Sequence, residues 1–454
     1  MDNYRREMNS TKNFDNNEEK SHEKLPFIER LKRKLQLLDY PILILMTILI
    51  IISLIMVFSS TMYLSEDGIS APDPFGYMMT QFFAVIVGFV GIIVMISVNY
   101  KMYRNIIFLN SVMTVLIGFL FLLIFRGVIG GGAQSWFSLG FASFQPSELV
   151  KLLSVLVLAR LLENQQREVI LAYEEFSDKT SKYSILLLSA SIILILFQPD
   201  LGMVILIVGT LFIMMVQQNL SFKINLAMYS GAFIAVIGVN IFSRLASDWL
   251  VSVDSYQINR LGSFSNPFKY PQHDGYQLIS GYLAFSRGGW LGLGIGQGET
   301  KRYSLPAGHT DFILANIGEE TGLIGIALIL GLLFSLIFMI YRWAVMSKSH
   351  FRRNVLFGMA TMLLIQSFIN IGGVAGIIPL TGVTLPFISY GGSSMLISIM
   401  AIAVVQVMII EEKKQVIIIQ AETEKKLNDA MLNEDGFYKR DHGLKLVHSR
   451  KQEK

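Results

Sequence analysis

The chain has 454 residues, 52% of them hydrophobic and 16% charged, with a formal net charge of +4 and no cysteine. The missing cysteines exclude disulfides, covalent haem attachment, iron–sulfur clusters and zinc–thiolate sites, and no nucleic-acid partner is expected. Uncharged apolar runs of about 20 residues recur, the length an α-helix needs to cross about 30 Å of hydrocarbon. The expected fold is therefore an all-α polytopic membrane protein. A β-barrel would show segments of about ten residues with alternating polarity instead.

Residues 1–39 form the expected cytoplasmic N-terminal tail. The first 24 are dense in Asn, Glu and Lys, which predicts disorder, and the first 40 or so are too polar for a cleaved signal peptide. Phe27, Ile28, Leu31, Leu35 and Leu38 then recur at helical spacing, with Arg30, Lys32, Arg33 and Lys34 between them. This pattern suits a basic helix on an anionic inner leaflet, or a plain juxtamembrane linker. The run 41–62 reads as a retained signal anchor. Ten spanning helices are predicted near 41–63, 78–98, 106–125, 147–161, 183–198, 201–217, 225–243, 312–341, 355–377 and 392–411. They make up a transmembrane domain over 40–411, followed by a charged cytoplasmic tail, 412–454, partly helical near 411–426.

Lys and Arg in the short loops set the orientation. Segments 99–105, 160–182 and 342–353 carry Lys101, Arg104, Arg160, Arg167, Lys179, Lys182, Arg342, Lys348, Arg352 and Arg353, whereas 64–77 and 378–391 carry no Lys or Arg. Both termini are thus expected inside. The loop 126–146 and a large loop, 244–311, between the seventh and eighth spans face outward.

The large loop holds Arg244, Arg260, Lys269, Arg287, Lys301 and Arg302 although it is outside. Long loops escape the charge rule, so these cations need no special role. The alternative is a cationic surface for a phosphate or pyrophosphate headgroup. The run 288–298 contains Gly288, Gly289, Gly292, Gly294, Gly296 and Gly298, which would let backbone N–H groups approach an anion or let the loop dip into the membrane. Asp311 follows, where a long apolar helix begins. It is either a helix cap or a general base beside a charged lipid headgroup, with His309 assisting or structural.

Polar side chains also interrupt apolar runs. Glu148 and Lys151, at i and i+3, can pair within the bilayer, and Pro146 opens their helix. Asp200 sits in a tight turn and is a candidate cap. Glu319 and Glu320 need partners or water, for which Lys151 is a candidate. Stretches 370–376 and 381–394 break the last two spans with Gly, Pro and Ser, as is tolerated where protein or water surrounds them.

Taken in order, several motifs resemble one family. They are Trp136 with Gln145-Pro146-Ser147-Glu148-Leu149-Val150-Lys151, Gln198-Pro199-Asp200-Leu201-Gly202, Gly275-Tyr276-Gln277 with Ser280, and the glycine run. His309-Thr310-Asp311-Phe312, Gly318-Glu319-Glu320-Thr321-Gly322, Asn370 and Leu385-Pro386-Phe387-Ile388-Ser389-Tyr390-Gly391-Gly392-Ser393-Ser394 complete the set. Over 40–411 the chain resembles the SEDS proteins (shape, elongation, division and sporulation) of the bacterial envelope.

The resemblance implies ten transmembrane helices and a glycosyltransferase of the cytoplasmic membrane. Such an enzyme polymerises lipid II into glycan strands and releases undecaprenyl diphosphate. Its implied partners are a class B penicillin-binding transpeptidase and other division membrane proteins, at the septum. Asp311 matches the family's essential aspartate, and Trp136, Gln277 and Ser389 join Arg260, Lys269, Arg287, Lys301, Arg302 and His309 as expected headgroup contacts. Mg2+ or Mn2+ could assist the leaving diphosphate. Gln134 and Ser135 stand where members often carry Arg, and Met203 replaces a small polar residue. Thr384 resembles the division branch, since the elongation branch usually has Pro there. A lipid II flippase, an elongation polymerase and a recruiting scaffold are the competing readings.

Overall fold

The computed structural model describes residues 26–64, 73–130, 133–138, 143–164, 179–218, 222–252, 261–264, 266–271, 274–303 and 305–433. Arg260, Arg167, the first 24 residues expected to be disordered, and the end of the expected cytoplasmic tail, 434–454, lie outside them, as does the side chain of Gln134. Among the described residues, each of the ten predicted spans contains a helix. A short helix α1 (Phe27–Gln36) comes first, then α2 (Tyr40–Thr61), α3 (Pro74–Ser97), a single-turn α4 (Tyr100–Arg104) and α5 (Ile106–Arg126). Three strands follow, β1 (Val128–Gly130), β2 (Ala133–Ser138) and β3 (Ser143–Phe144), then α6 (Pro146–Leu161), α7 (Lys179–Phe197), α8 (Leu201–Val216), α9 (Phe222–Leu245) and α10 (Ser247–Ser252). The chain ends with α11 (Asp274–Gly288), α12 (Ile313–Met346), α13 (His350–Val374) and α14 (Gly392–Asn433).

Seven of these, α2, α3, α5, α7, α12, α13 and α14, are long and apolar enough to cross a membrane, and α8 is apolar but shorter. The chain is a multi-pass membrane protein. Burial sorts the helices. The apolar window of α14 is 89% buried and that of α13 67%, against 28% for α3, α7 and α12. The core therefore gathers around α13 and the first half of α14, while the other three turn apolar faces outward, as lipid contact requires.

Side-chain caps start several helices. Asp39 accepts from the Ile42 N–H at 3.3 Å, Asp73 from Gly76 at 2.8 Å and Asp200 from Met203 at 3.1 Å, each satisfying an N–H that hydrocarbon would leave bare. Asp200 is thus the cap that its position suggested. Asp39 does more, because its other oxygen accepts from Trp343 Nε1 at 2.7 Å and its backbone exchanges two bonds with the Gln406 amide.

The described parts of the terminal segments, 26–38 and 409–433, belong to a second unit. There α1 is a helix, and Lys413 Nζ donates to the Leu37 and Leu38 carbonyls at 2.9 and 3.1 Å, closing its C-terminal end. Burial, then the neighbouring Lys414, pushes the Lys34 ammonium down to about 8.

Loop 126–146 contains structure that its length did not announce. β1, β2 and β3 form a small antiparallel sheet in that order, with Trp136 opposite Val128 and Phe137 opposite Phe144. Aromatic and β-branched residues between glycines favour such a ribbon.

The long predicted eighth span is broken. Within α12, Gly322 has φ 69° and ψ −173°, so 313–321 is a separate short helix. The glycine run repairs the break. Leu293 and Gly294 N–H groups donate to the Glu319 and Glu320 carbonyls at 3.0 and 2.9 Å, and Leu323 and Ile324 donate back to Gly289 and Trp290. A Cβ on Gly292 would stand 2.2 Å from the Glu320 carbonyl oxygen, and one on Gly322 2.4 Å from that of Trp290. These glycines therefore permit backbone to lie on backbone, and the N–H groups of Leu293 and Gly294 are spent on the helix rather than on an anion. Gly322→Ala should lower the thermal unfolding midpoint of detergent-solubilised protein, since forced left-handed backbone costs about 1–3 kcal/mol. Gly331→Ala, where a Cβ meets nothing within 4 Å, should not lower it. Equal midpoints would refute the close-packing account.

Candidate functional site: the Asp311 loop and its fastenings

Asp311 ends a tight loop before α12. Ala307 has φ 52°, which turns its carbonyl toward the N–H groups of Thr310 and Phe312 at 3.0 and 3.1 Å. Asn316 Nδ2 donates to the Gly308 carbonyl at 2.7 Å, tying the loop to the first turn of α12. The N-cap position belongs to Phe312, so Asp311 precedes the cap. Asp311 is 7% exposed, and Thr310 Oγ1 donates to its Oδ1 at 3.0 Å.

Three other elements hold this loop. From α11, Gln277 Nε2 donates to the Pro306 carbonyl at 3.1 Å. From α13, Asn370 Nδ2 donates both to the Asp311 carbonyl at 2.6 Å and to the Val383 carbonyl at 2.8 Å. From the segment before α14, the Tyr390 N–H donates to the His309 carbonyl at 2.9 Å. That segment is itself strained and fastened. Phe387 has φ 61°, Ser389 Oγ accepts from the Leu385 N–H at 2.8 Å, and the Gln81 amide bonds Ser389 O and Gly391 N. Ser389, an expected headgroup contact, thus spends its hydroxyl oxygen on its own turn.

Beneath lies a buried polar chain. Glu148 pairs with Lys151 at 2.6 Å, as their spacing predicted, and Lys151 Nζ also donates to Gln366 Oε1 at 2.9 Å. Gln366 Nε2 continues to the Thr384 carbonyl at 3.0 Å, and Thr384 Oγ1 lies 2.7 Å from Ser394 Oγ. Gln145 Nε2 reaches Asp200 Oδ2 at 2.9 Å. Gln366 and Asn370 are one helical turn apart on α13. One reads the ion pair and the other reads Asp311.

Lys151 is therefore not the partner of Glu319 or Glu320. Glu320 pairs with Lys301 at 2.6 Å and accepts from Ser59 Oγ at 2.6 Å, while Lys301 also donates to the Ser59 carbonyl at 3.1 Å. Glu319 accepts from the Thr300 N–H and hydroxyl at 3.0 and 2.8 Å, with Arg287 3.7 Å away. Two adjacent buried carboxylates need nearby positive charge and donors, and the outer loop supplies them. Lys301 thus turns inward, whereas Arg287 stays part-exposed, 3.7 Å from both Glu319 and the exposed Glu299. Lys269 is bound to Asp248 at the surface, and Arg302 is exposed over the Tyr63 ring at 5.3 Å. Trp136 is half-buried in β2.

Gln81, Gln366, Ser59 and Thr300 were not singled out in the sequence. Gln81 and Gln366 carried a usable signal, since amides inside apolar runs need partners. Ser59 and Thr300 carried none. Among the described residues no group of three or more His, Asp or Glu gathers as metal ligands, so the Mg2+ or Mn2+ considered above finds no protein-built cage there.

Comparison with known proteins identifies the family. Residues 40–414 match the family model described as cell cycle protein, that of FtsW, RodA and SpoVE. The chain belongs to this family. It is 34% identical over 369 residues to the probable peptidoglycan glycosyltransferase FtsW of Bacillus subtilis, covering 81% of this chain and 89% of that one. It is 32% identical to the stage V sporulation protein E of the same organism, covering 81% and 95%. The fold resembles a chain from a solved structure that concerns the coordination of polymerization and crosslinking by a peptidoglycan synthase complex, with TM-score 0.64, 24% identity and 83% and 98% coverage. It also resembles the rod shape determining protein RodA of Thermus thermophilus, with TM-score 0.57, 23% identity and 83% and 97% coverage.

The FtsW-type frame depends on its buried charges. Removing one partner of a buried pair costs about 3–5 kcal/mol. Glu320→Gln should therefore unfold at markedly lower temperature than wild type, and adding Lys301→Met should recover much of the loss. A double variant as unstable as the single would show that the pair is not the cause.

Proposed function

We propose that this chain is a peptidoglycan glycosyltransferase that polymerises lipid II, acting in septal synthesis during cell division. The observation that carries this is a buried carboxylate, Asp311, on a loop whose backbone carbonyls are held by Asn370 and Gln277 at the loop end of the bundle, in a chain of the FtsW family. The loops expected outside converge there. Ser143 bonds Ser393, Gln145 bonds Asp200, and Asn370 joins the Asp311 loop to Val383. At the opposite end Arg104 and Arg160 pair with Glu163. The distribution of Lys and Arg makes the Asp311 end the outer one and leaves both termini in the cytoplasm.

The acceptor sugar's 4-hydroxyl attacks the donor's anomeric carbon. A hydroxyl is a poor nucleophile, and Asp311 takes its proton as the new C–O bond forms. The anomeric bond to the diphosphate breaks, and undecaprenyl diphosphate leaves with the bonding electrons. Exposed Arg302 is a cation available to meet that charge, whereas Lys301 is buried against Glu320. The relatives' names support the reaction, and the likeness to a chain of a synthase complex that coordinates polymerization with crosslinking supports a class B penicillin-binding transpeptidase as partner. The division role follows from the FtsW relatives together with Thr384.

Asp311→Asn should reduce glycan synthesis from lipid II by purified protein about 10²–10⁴-fold, the usual contribution of a general base, with unfolding temperature preserved. Full polymerisation by that variant would exclude Asp311 from the chemistry. Asn370→Ala should lower kcat by up to about 10²-fold, as misplacement of a reacting group does, with KM little changed. An unaltered kcat would show that the Asn370 bond does not set the carboxylate's position.

A further inference from the structure

Beside Asp311 stand three rings that the reaction above does not use. Tyr77 comes from the first turn of α3, His309 from the Asp311 loop and Tyr390 from the turn before α14. Their centroids lie 5.4 Å (Tyr77–His309), 5.3 Å (Tyr77–Tyr390) and 5.5 Å (His309–Tyr390) apart, at interplanar angles of 66°, 72° and 47°. Each ring is half-buried. The backbone bond from Tyr390 N–H to His309 O fixes two of them to each other.

We propose that Tyr77, His309 and Tyr390 form a saccharide-binding platform that takes the apolar C–H face of a pyranose ring next to Asp311. The inference rests on the glycosyltransferase reading and names which part of its substrate binds here. A pyranose has one face of C–H groups and a rim of hydroxyls, so it fits edge-packed aromatics that carry their own polar tips. Two tyrosine hydroxyls and an imidazole supply those tips. The carboxylate that would accept the sugar hydroxyl's proton is two residues from His309. An aromatic belt for lipid headgroups looks different in this protein, because Phe75 and Trp290 at the same end are 58% and 71% exposed and point outward. The three rings instead pack on one another over a loop bonded to α11 and α13. Segment 381–391 thereby acquires a role, since its strained turn at Phe387 presents Tyr390 to the other two rings.

The test uses the purified full chain. Saturation-transfer NMR from aromatic protein protons to a soluble GlcNAc–MurNAc tetrasaccharide should show transfer to the sugar ring C–H protons in wild type. Tyr77→Leu and Tyr390→Leu should lose that transfer and raise KM for lipid II about tenfold, the weight of one aromatic contact, with a smaller change in kcat. Tyr77→Phe, which keeps the ring, should shift KM less than Tyr77→Leu does. Absent transfer in wild type overturns the platform without any variant being needed. So does an unchanged KM in both Leu variants, or equal damage from Phe and Leu. If wild type makes no glycan yet shows the transfer, the enzymatic reading fails and the platform stands. If wild type polymerises and the rings prove indifferent, the platform alone fails.

Discussion

The break in α12 at Gly322 would expose backbone carbonyls and two carboxylates where hydrocarbon offers no hydrogen bond. Everything near it answers that constraint. The glycine run lies close enough for Leu293 and Gly294 to bond the Glu319 and Glu320 carbonyls. Thr300 and Lys301, just beyond that run, satisfy the two carboxylates. Ser59 brings α2 into the same cluster. One segment therefore closes both the backbone and the charge of the break. A broken helix also gives α12 a short first half, 313–321, that is free to be placed by its neighbours. Asp311 stands at its head.

The second answer to the same constraint is the row of amides on α13. An amide both donates and accepts without carrying charge, so it crosses a dry interior at lower cost than an ion. Gln366 accepts from Lys151 and donates to Thr384, and Asn370 donates to Val383 and Asp311. The Glu148–Lys151 pair on α6 and the carboxylate loop are thereby referred to the same broken segment, 381–391. Helices α6 and α13, the loop before the broken α12 and the segment 381–391 thus meet at one corner. A reacting group gains from such a frame because it meets its substrate already oriented.

The same arrangement reassigns the cations of the outer loop. A Lys or Arg in a large loop invites a phosphate partner, yet buried carboxylates have first claim on it, since an uncompensated buried charge is worse than an unoccupied surface. Lys301 follows that rule. Arg302, one residue beyond Lys301, stays outside on the Tyr63 ring. Neighbouring positions of a short turn can therefore divide into one structural and one solvent-facing cation.

Much of this was legible in the chain before its fold. Apolar runs near 20 residues located the spans, Pro146 and Asp200 marked two helix starts, and i,i+3 spacing paired Glu148 with Lys151, because each depends only on local geometry and on the thickness of the membrane. The motif around Asp311 was also legible as a motif. The partners of Glu319 and Glu320, the split of α12, the strands of 128–144 and the meeting of Asn370 with Asp311 were decided by tertiary structure alone. Asn370 and Asp311 lie far apart in the chain, as do Ser59 and Glu320, and a polar group buried in a membrane protein takes whichever donor the packing of helices brings within about 3 Å.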